Sequence, residues 1–242
     1  MRNRLAQNSL PEWNKRIKSD TPRAALNYIK DAQKGMNPSG PKISPDAVVS
    51  EGYLRLEQDL GTRDSYDFNV LENTGQPTVT ERRLKVSDQF LVTHLGLFII
   101  SNSLPFTDNS RSIAPLQTYN SVRVRGAIGS DNAEIIYNGF LEIRVNETVY
   151  FDAYDTQRFK RVGTAQEGVE VSTGATEPAY VADEWSDQHY GLANLTPFIF
   201  FGGKANNKVS LNLPTSIAIG DGLSASVVLV AHGMQIQNAY VS

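Results

Sequence analysis

From about residue 46 onward, apolar residues recur at every second position in short runs, and no other property of the chain restricts its fold as much. Successive side chains of an extended strand point to opposite faces, so this period dries one face and wets the other, whereas a helix needs a period near 3.6. The stretch Tyr137–Thr156 shows it best. Leu141, Ile143 and Val145 alternate with Glu142, Arg144 and Asn146, and Val149, Phe151 and Ala153 continue the apolar series with Tyr150, Asp152 and Tyr154 between them. Asn146-Glu147 reads either as a tight turn, without the glycine such turns prefer at the second place, or as a bend in a single strand. The same reasoning predicts strands over 52–57, 66–71, 84–86, 90–101, 121–127, 134–145, 148–154, 168–171, 196–201, 209–213 and 224–231, separated by turn clusters such as Ser130-Asp131-Asn132 and Gly220-Asp221-Gly222. Two long connections interrupt the series. The first, 104–117, reads as structureless. The second, 172–191, is rich in Gly, Thr and acids and carries Tyr180, Trp185 and Tyr190.

The first 45 residues follow other rules. Thr21-Pro22 is a helix start, Ala25, Ile29 and Ala32 form one stripe, and Gly35 stands where a C-terminal cap belongs. A shorter helix is predicted over 11–19, where Trp13 and Ile17 lie four apart. MNPSGPKISPD then reads as an extended linker, because its prolines and glycines cannot continue a helix. The expected organisation is therefore a helical arm with its linker over 1–45 and a β body over 46–242. Charge divides along the same line. Residues 1–42 hold nine Lys or Arg against three acids, a net of +6, and the remaining fourteen basic and twenty-three acidic residues sum to −9. A cationic arm on an acidic body is suited to meeting phosphate, an acidic neighbouring surface, or simply water.

The chemistry open to the chain is narrow. It has no cysteine, which removes disulfide frameworks, thiol nucleophiles and thiolate metal sites. The first twenty residues lack an apolar leader core, and the longest apolar runs, LGLFII and SVVLVA, are too short to cross a bilayer. The expectation is a chain made in a cytoplasm, with no transmembrane segment. His94 falls within a predicted strand and His232 at the end of one, where a packed imidazole is the ordinary outcome. His189 follows Asp183, Glu184 and Asp187, a grouping that is either a hard-cation loop or, more simply, a solvated acidic loop. No nucleophile elbow occurs, and Gly202-Gly203-Lys204 lacks the spacing of a phosphate loop. Asp152 and Asp155 are the one carboxylate pair to weigh for sugar cleavage, but acids on the wet face of a strand need no special explanation. Arg123 and Arg125 share one strand face and suit either a phosphate backbone, a carboxylate ridge or solvent. The expectation is a protein that is not an enzyme and holds no cofactor or metal.

Eight to ten strands of uneven spacing with two long crossovers fit a single jelly-roll-like β-sandwich better than an immunoglobulin-type one. With the basic arm, the Pro/Gly linker and stretches such as KVSDQFLVTHLGLFIISNS and YNGFLEIRVNETVYF, the plan of the whole chain resembles viral jelly-roll capsid proteins and bacteriophage virion structural proteins. The resemblance implies a structural virion protein, above all a major capsid protein assembling as many copies into an icosahedral shell. It further implies contacts with other virion proteins and with genome nucleic acid through the arm. Trp13, Tyr28, Tyr180, Trp185 and Tyr190 are then the candidate subunit-interface anchors, since large aromatics carry much of interface energy. Arg2, Arg4, Lys15, Arg16 and Lys18 are the candidate inner-surface or nucleic-acid contacts. The alternatives are another virion component (penton, spike base or tail part) and a carbohydrate-binding sandwich that stacks sugars on its tyrosines and Trp185.

Overall fold

The computed structural model describes residues 44, 47–102, 104–118, 128–160, 191–219 and 223–240. The expected arm helices and the strands at 121–127 and 168–171 lie outside the described residues. Within them the chain forms β1 (Val48–Asp59), β2 (Ser65–Phe68), β3 (Gln89–Asn102), helix α1 (Asp108–Ile113) and helix α2 (Ser130–Tyr137). There follow β4 (Phe140–Val145), β5 (Thr148–Asp155), a 3-10 turn (Thr156–Phe159), β6 (Ala193–Gly202), β7 (Asn207–Asn212) and β8 (Ser224–Gln237). Two four-stranded sheets result, ordered β1-β8-β3-β6 and β2-β7-β4-β5, and every pairing between named strands is antiparallel. In each of the pairs β1·β8, β2·β7, β3·β6 and β4·β5 the strand numbers add up to nine, and successive pairs alternate between the sheets.

The sheets enclose one core. Leu54, Leu56, Leu97, Ile199 and Leu229 from the first sheet meet Tyr66, Leu141, Ile143, Val209 and Leu211 from the second, all within one buried cluster. At about 1.5–3 kcal/mol for each fully buried large side chain, this cluster is the main force holding the sheets together. In the first sheet the register slips where β3 bulges between Val92 and His94. The extra residue, Thr93, is buried and its hydroxyl donates to His232 O at 3.2 Å. The bulge shifts the phase, so Phe90 and Val92 face inward before it and Leu95, Leu97 and Ile99 after it. Gly233 lies opposite Val92, where a Cβ would enter the van der Waals shell of Leu91 O.

The central strands β3 and β8 are buried on both faces, as near-continuous apolar runs such as LGLFII and SVVLV require. On the outer face Phe98, Ile100, Val228 and Val230 form a second cluster, against which Phe106 and Ala114 of the 104–118 crossing pack. A third cluster of Leu91, Phe198, Phe200, Met234, Ile236 and Ala239 is flanked by Ala47, Val49 and Tyr240.

Four expectations are corrected, the first being the strand over 84–86, where only an isolated bridge at Leu84 forms. The segment 134–145 is not one strand: Ala133, Ile136 and Tyr137 stand at helical spacing and bury one face of α2, and Gly139 then admits the chain against Asn212 O before β4 begins. The crossing 104–117 is not structureless, because Thr107 and Ser110 form a reciprocal capping box that starts α1. In β5 the dry residues are Tyr150, Phe151 and Tyr154, while Val149 and Ala153 are exposed, because two irregularities in the β4–β5 ladder break the alternation. Asn146-Glu147 is a turn, with Asn146 at φ 51°, a value asparagine tolerates. Its backbone and side chain exchange hydrogen bonds with Asn206, fastening the β4–β5 hairpin to the β6–β7 turn.

Candidate functional site

Two charged features stand out, and both draw on the connection 72–88, the first together with β1 and the second together with the end of β8. On the outer face of β1, Glu57 has no exposed side-chain surface. One of its carboxylate oxygens accepts from Arg55 Nε at 2.7 Å and Thr80 Oγ1 at 2.6 Å, the other from Arg111 at 2.9 Å and Thr78 Oγ1 at 3.1 Å. Burial pushes the Glu57 carboxyl up, but the Thr80 hydroxyl, the Arg55 charge and the Arg111 bond together hold it below the ordinary carboxylate range. Arg111 also donates to Asp59 Oδ1 at 2.8 Å and Ser226 Oγ at 3.1 Å, and its guanidinium lies 4.4 Å from the centre of the Phe106 ring. The helix α1 is thus clasped to β1 and β8 by one cation. Beside this clasp, the buried pair Glu81–Arg83 closes at 2.7 Å, and Glu81 also accepts from the backbone N–H groups of Glu57 and Thr78. Arg55 and Arg82 exchange two backbone hydrogen bonds, so the outer edge of β1 is occupied at that point.

The second feature is a polar cavity of about 640 Å³ at the end of β8. The inward residues of β8 run Ala225, Val227, Leu229 and Ala231 through the core and then change to Gly233, Gln235 and Gln237, so the sandwich opens there on a hydrophilic floor. Its frame is fixed. Asp88 is buried and accepts from Ser87 Oγ at 2.7 Å, Gln235 Nε2 at 2.8 Å and Asn238 N at 3.1 Å, while Glu81 and Arg83 occupy each other. Its rim is not. Among the described residues, the side-chain polar groups of Glu72, Lys85 and Gln237 have no hydrogen-bonding or ionic partner, and Arg82 has only the Tyr53 ring, 5.3 Å away.

Further along the outer face, Tyr53 stacks on His232 with centroids 5.9 Å apart, and His232 stands directly opposite His94. The Thr93 hydroxyl lies 2.8 Å from His94 Nδ1. Burial lowers the His232 pKa, opposed by the nearby Glu51 charge. The wet face of the second sheet is self-paired: Arg144 meets Glu142 at 2.6 Å and Asp152 at 3.6 Å, and Ser210 donates to Asp67 at 2.5 Å.

The anchors Trp13, Tyr28, Tyr180, Trp185 and Tyr190 and the cations Arg2, Arg4, Lys15, Arg16 and Lys18 lie outside the described residues, as do His189, Arg123 and Arg125. Asp152 is open to water and paired with Arg144, and the Asp155 side chain caps the 3-10 turn by accepting from Gln157 N at 2.9 Å. Neither carboxylate is desolvated as a glycosidic acid must be. No cluster of ligating side chains able to hold a metal ion occurs among the described residues. Sequence reasoning passed over Arg111, whose partners are 52 to 115 residues distant, and the polar end of β8, whose alternation continues visibly past Ala231. No family model matches the chain, and no curated protein or solved structure is significantly similar to it.

Proposed function

We propose that this chain is a jelly-roll structural protein of a virion, most simply a major capsid protein whose copies associate into a closed shell. The observation that carries the architecture is the strand order. Pairs whose numbers add up to nine, alternating between two sheets, are what remains when one antiparallel ribbon of eight strands is rolled up into a sandwich. Jelly rolls also serve as lectins and enzymes, so the fold alone does not select the use. The charge partition supports assembly: residues 1–42 carry +6 against −9 on the rest, complementary between arm and body and, from copy to copy, between neighbours. In this reading the arm cations Arg2, Arg4, Lys15, Arg16 and Lys18 face nucleic acid or an inner surface, and the aromatic anchors Trp13, Tyr28, Tyr180, Trp185 and Tyr190 are covered by neighbouring copies or other virion proteins. Many weak identical contacts then sum cooperatively when symmetry closes.

The test is negative-stain microscopy with light scattering on the full chain and on a variant lacking residues 1–42. Closed particles or regular plates from the full chain, and a folded but poorly assembling truncated one, are expected. A 26.7-kDa monomer persisting at high concentration refutes assembly, and normal particles from the truncated chain refute the role of the arm.

A further inference from the structure

We propose that the cavity at the end of β8 is a binding site for a neutral saccharide. The inference concerns the free subunit and does not depend on assembly. At about 640 Å³ the cavity lies within the 300–1,000 Å³ range of small-molecule sites. Its lining is hydrophilic, which excludes the apolar ligands that most such sites accept. Its charges are balanced, with Glu72, Glu81 and Asp88 against Arg82, Arg83 and Lys85. Neither an anion nor a cation gains net attraction from it.

A zwitterion is disfavoured for another reason. Glu81 and Arg83 are already paired with each other, and Asp88 is already held by three donors. The charges left over, on Glu72, Arg82 and Lys85, are exposed, where water screens an ion pair to little value. What the cavity does offer is planar donor and acceptor groups on a rigid frame: the Arg82 guanidinium, the Gln237 and Asn238 amides and the Glu72 carboxylate. Vicinal hydroxyls present a donor and an acceptor side by side and engage such groups two at a time. The floor is preorganised, since Gln235 is fixed by Asp88, and the ordering cost of binding falls on the free rim side chains alone, which keeps the affinity modest.

The experiment is saturation-transfer NMR on the full chain with maltotriose, cellotriose, lactose and N-acetyllactosamine as probes, a readout that works for monomers and large particles alike. At least one sugar is expected to receive saturation on its ring protons with a Kd of about 1 mM. Gln237→Ala, Lys85→Ala and Glu72→Ala, all at exposed side chains that support no other contact, should each weaken that binding severalfold with an unchanged melting temperature. Lys208→Ala, on the wet face of the second sheet, should leave it unaltered. The proposal is overturned if none of the four sugars binds, if binding survives all three cavity variants, or if inorganic phosphate displaces the sugar and so marks an anion site.

Discussion

Replacing Arg111 by methionine measures how firmly the 104–118 crossing is held to the sandwich. The three contacts of the guanidinium are not equal. Asp59 is 64 % exposed on its side chain, so that bridge contributes at most about 1 kcal/mol. Stacking over Phe106 adds about 0.5–1 kcal/mol. Glu57 is the decisive partner, because removing one member of a fully buried ion pair costs about 3–5 kcal/mol. Arg55, Thr78 and Thr80 still hold that carboxylate, so the low end applies. The expected loss is about 3–4 kcal/mol in urea unfolding, and a fall in melting temperature of roughly 10 °C for a domain of this size. The double variant Arg111→Met/Glu57→Gln should be less destabilised than the two single losses together by at least about 1.5 kcal/mol, since the buried charge leaves with its partner. Acid gives an independent check. The Glu57 carboxyl titrates below its ordinary value in the fold. Its stabilisation is therefore complete above the unfolded carboxyl value of about 4.3 and is lost as pH falls through the lower folded value. Glu57→Gln should lack that acid limb. A cost below about 1 kcal/mol for Arg111→Met, or strict additivity in the double variant, would refute the clasp.

Further outcomes follow from other sites. Gly233→Ala places a methyl group against the Leu91 carbonyl at the β3 bulge, where backbone must move to admit it, so the variant should lose several kcal/mol or fail to fold; a wild-type unfolding midpoint would show that the bulge is soft. His232 should titrate below the ordinary imidazole value in an NMR pH series, leaving the fold favoured above the unfolded value of about 6.5 and progressively less so as pH drops toward the folded one. A resonance titrating at or above the ordinary value would overturn that assignment.

Most of the strands were legible, β1 and β7 because burial on one face imposes a period that only extended chain satisfies, and β3, β6 and β8 as short, near-continuous apolar runs bounded by turn signals. The failures have identifiable causes. In SDNAEIIYNGFLEIRV the pair Ile135-Ile136 fits either period, and the helix is betrayed only by Ala133, Ile136 and Tyr137 falling on one face. In 104–117 the capping box Thr107–Ser110 uses serine where glutamate is usual, and nothing nearby in sequence announces that Arg111 will be buried. An arginine among serines reads as a surface residue until Glu57 and Ser226 arrive from distant strands. The polar end of β8 was available in the pattern but lost by ending the strand at Ala231, where apolar character stops although alternation does not.

The same features bear on how copies meet. The outer face of the first sheet is partly covered by the chain's own crossing at Phe106 and Ala114, and the edge of β1 is occupied by Arg82. In the second sheet β5 is an edge strand, but two irregularities interrupt its ladder, and such bulges blunt the strand-to-strand addition that a flat edge invites. Tyr150 of β5 also packs inward against the shared core. Strand addition from copy to copy at these two edges is therefore disfavoured, which shifts association there to side chains and connecting segments. Contacts of that kind are individually weak and sensitive to ionic strength, and they become strong only by repetition, which is what the proposed shell would demand of them.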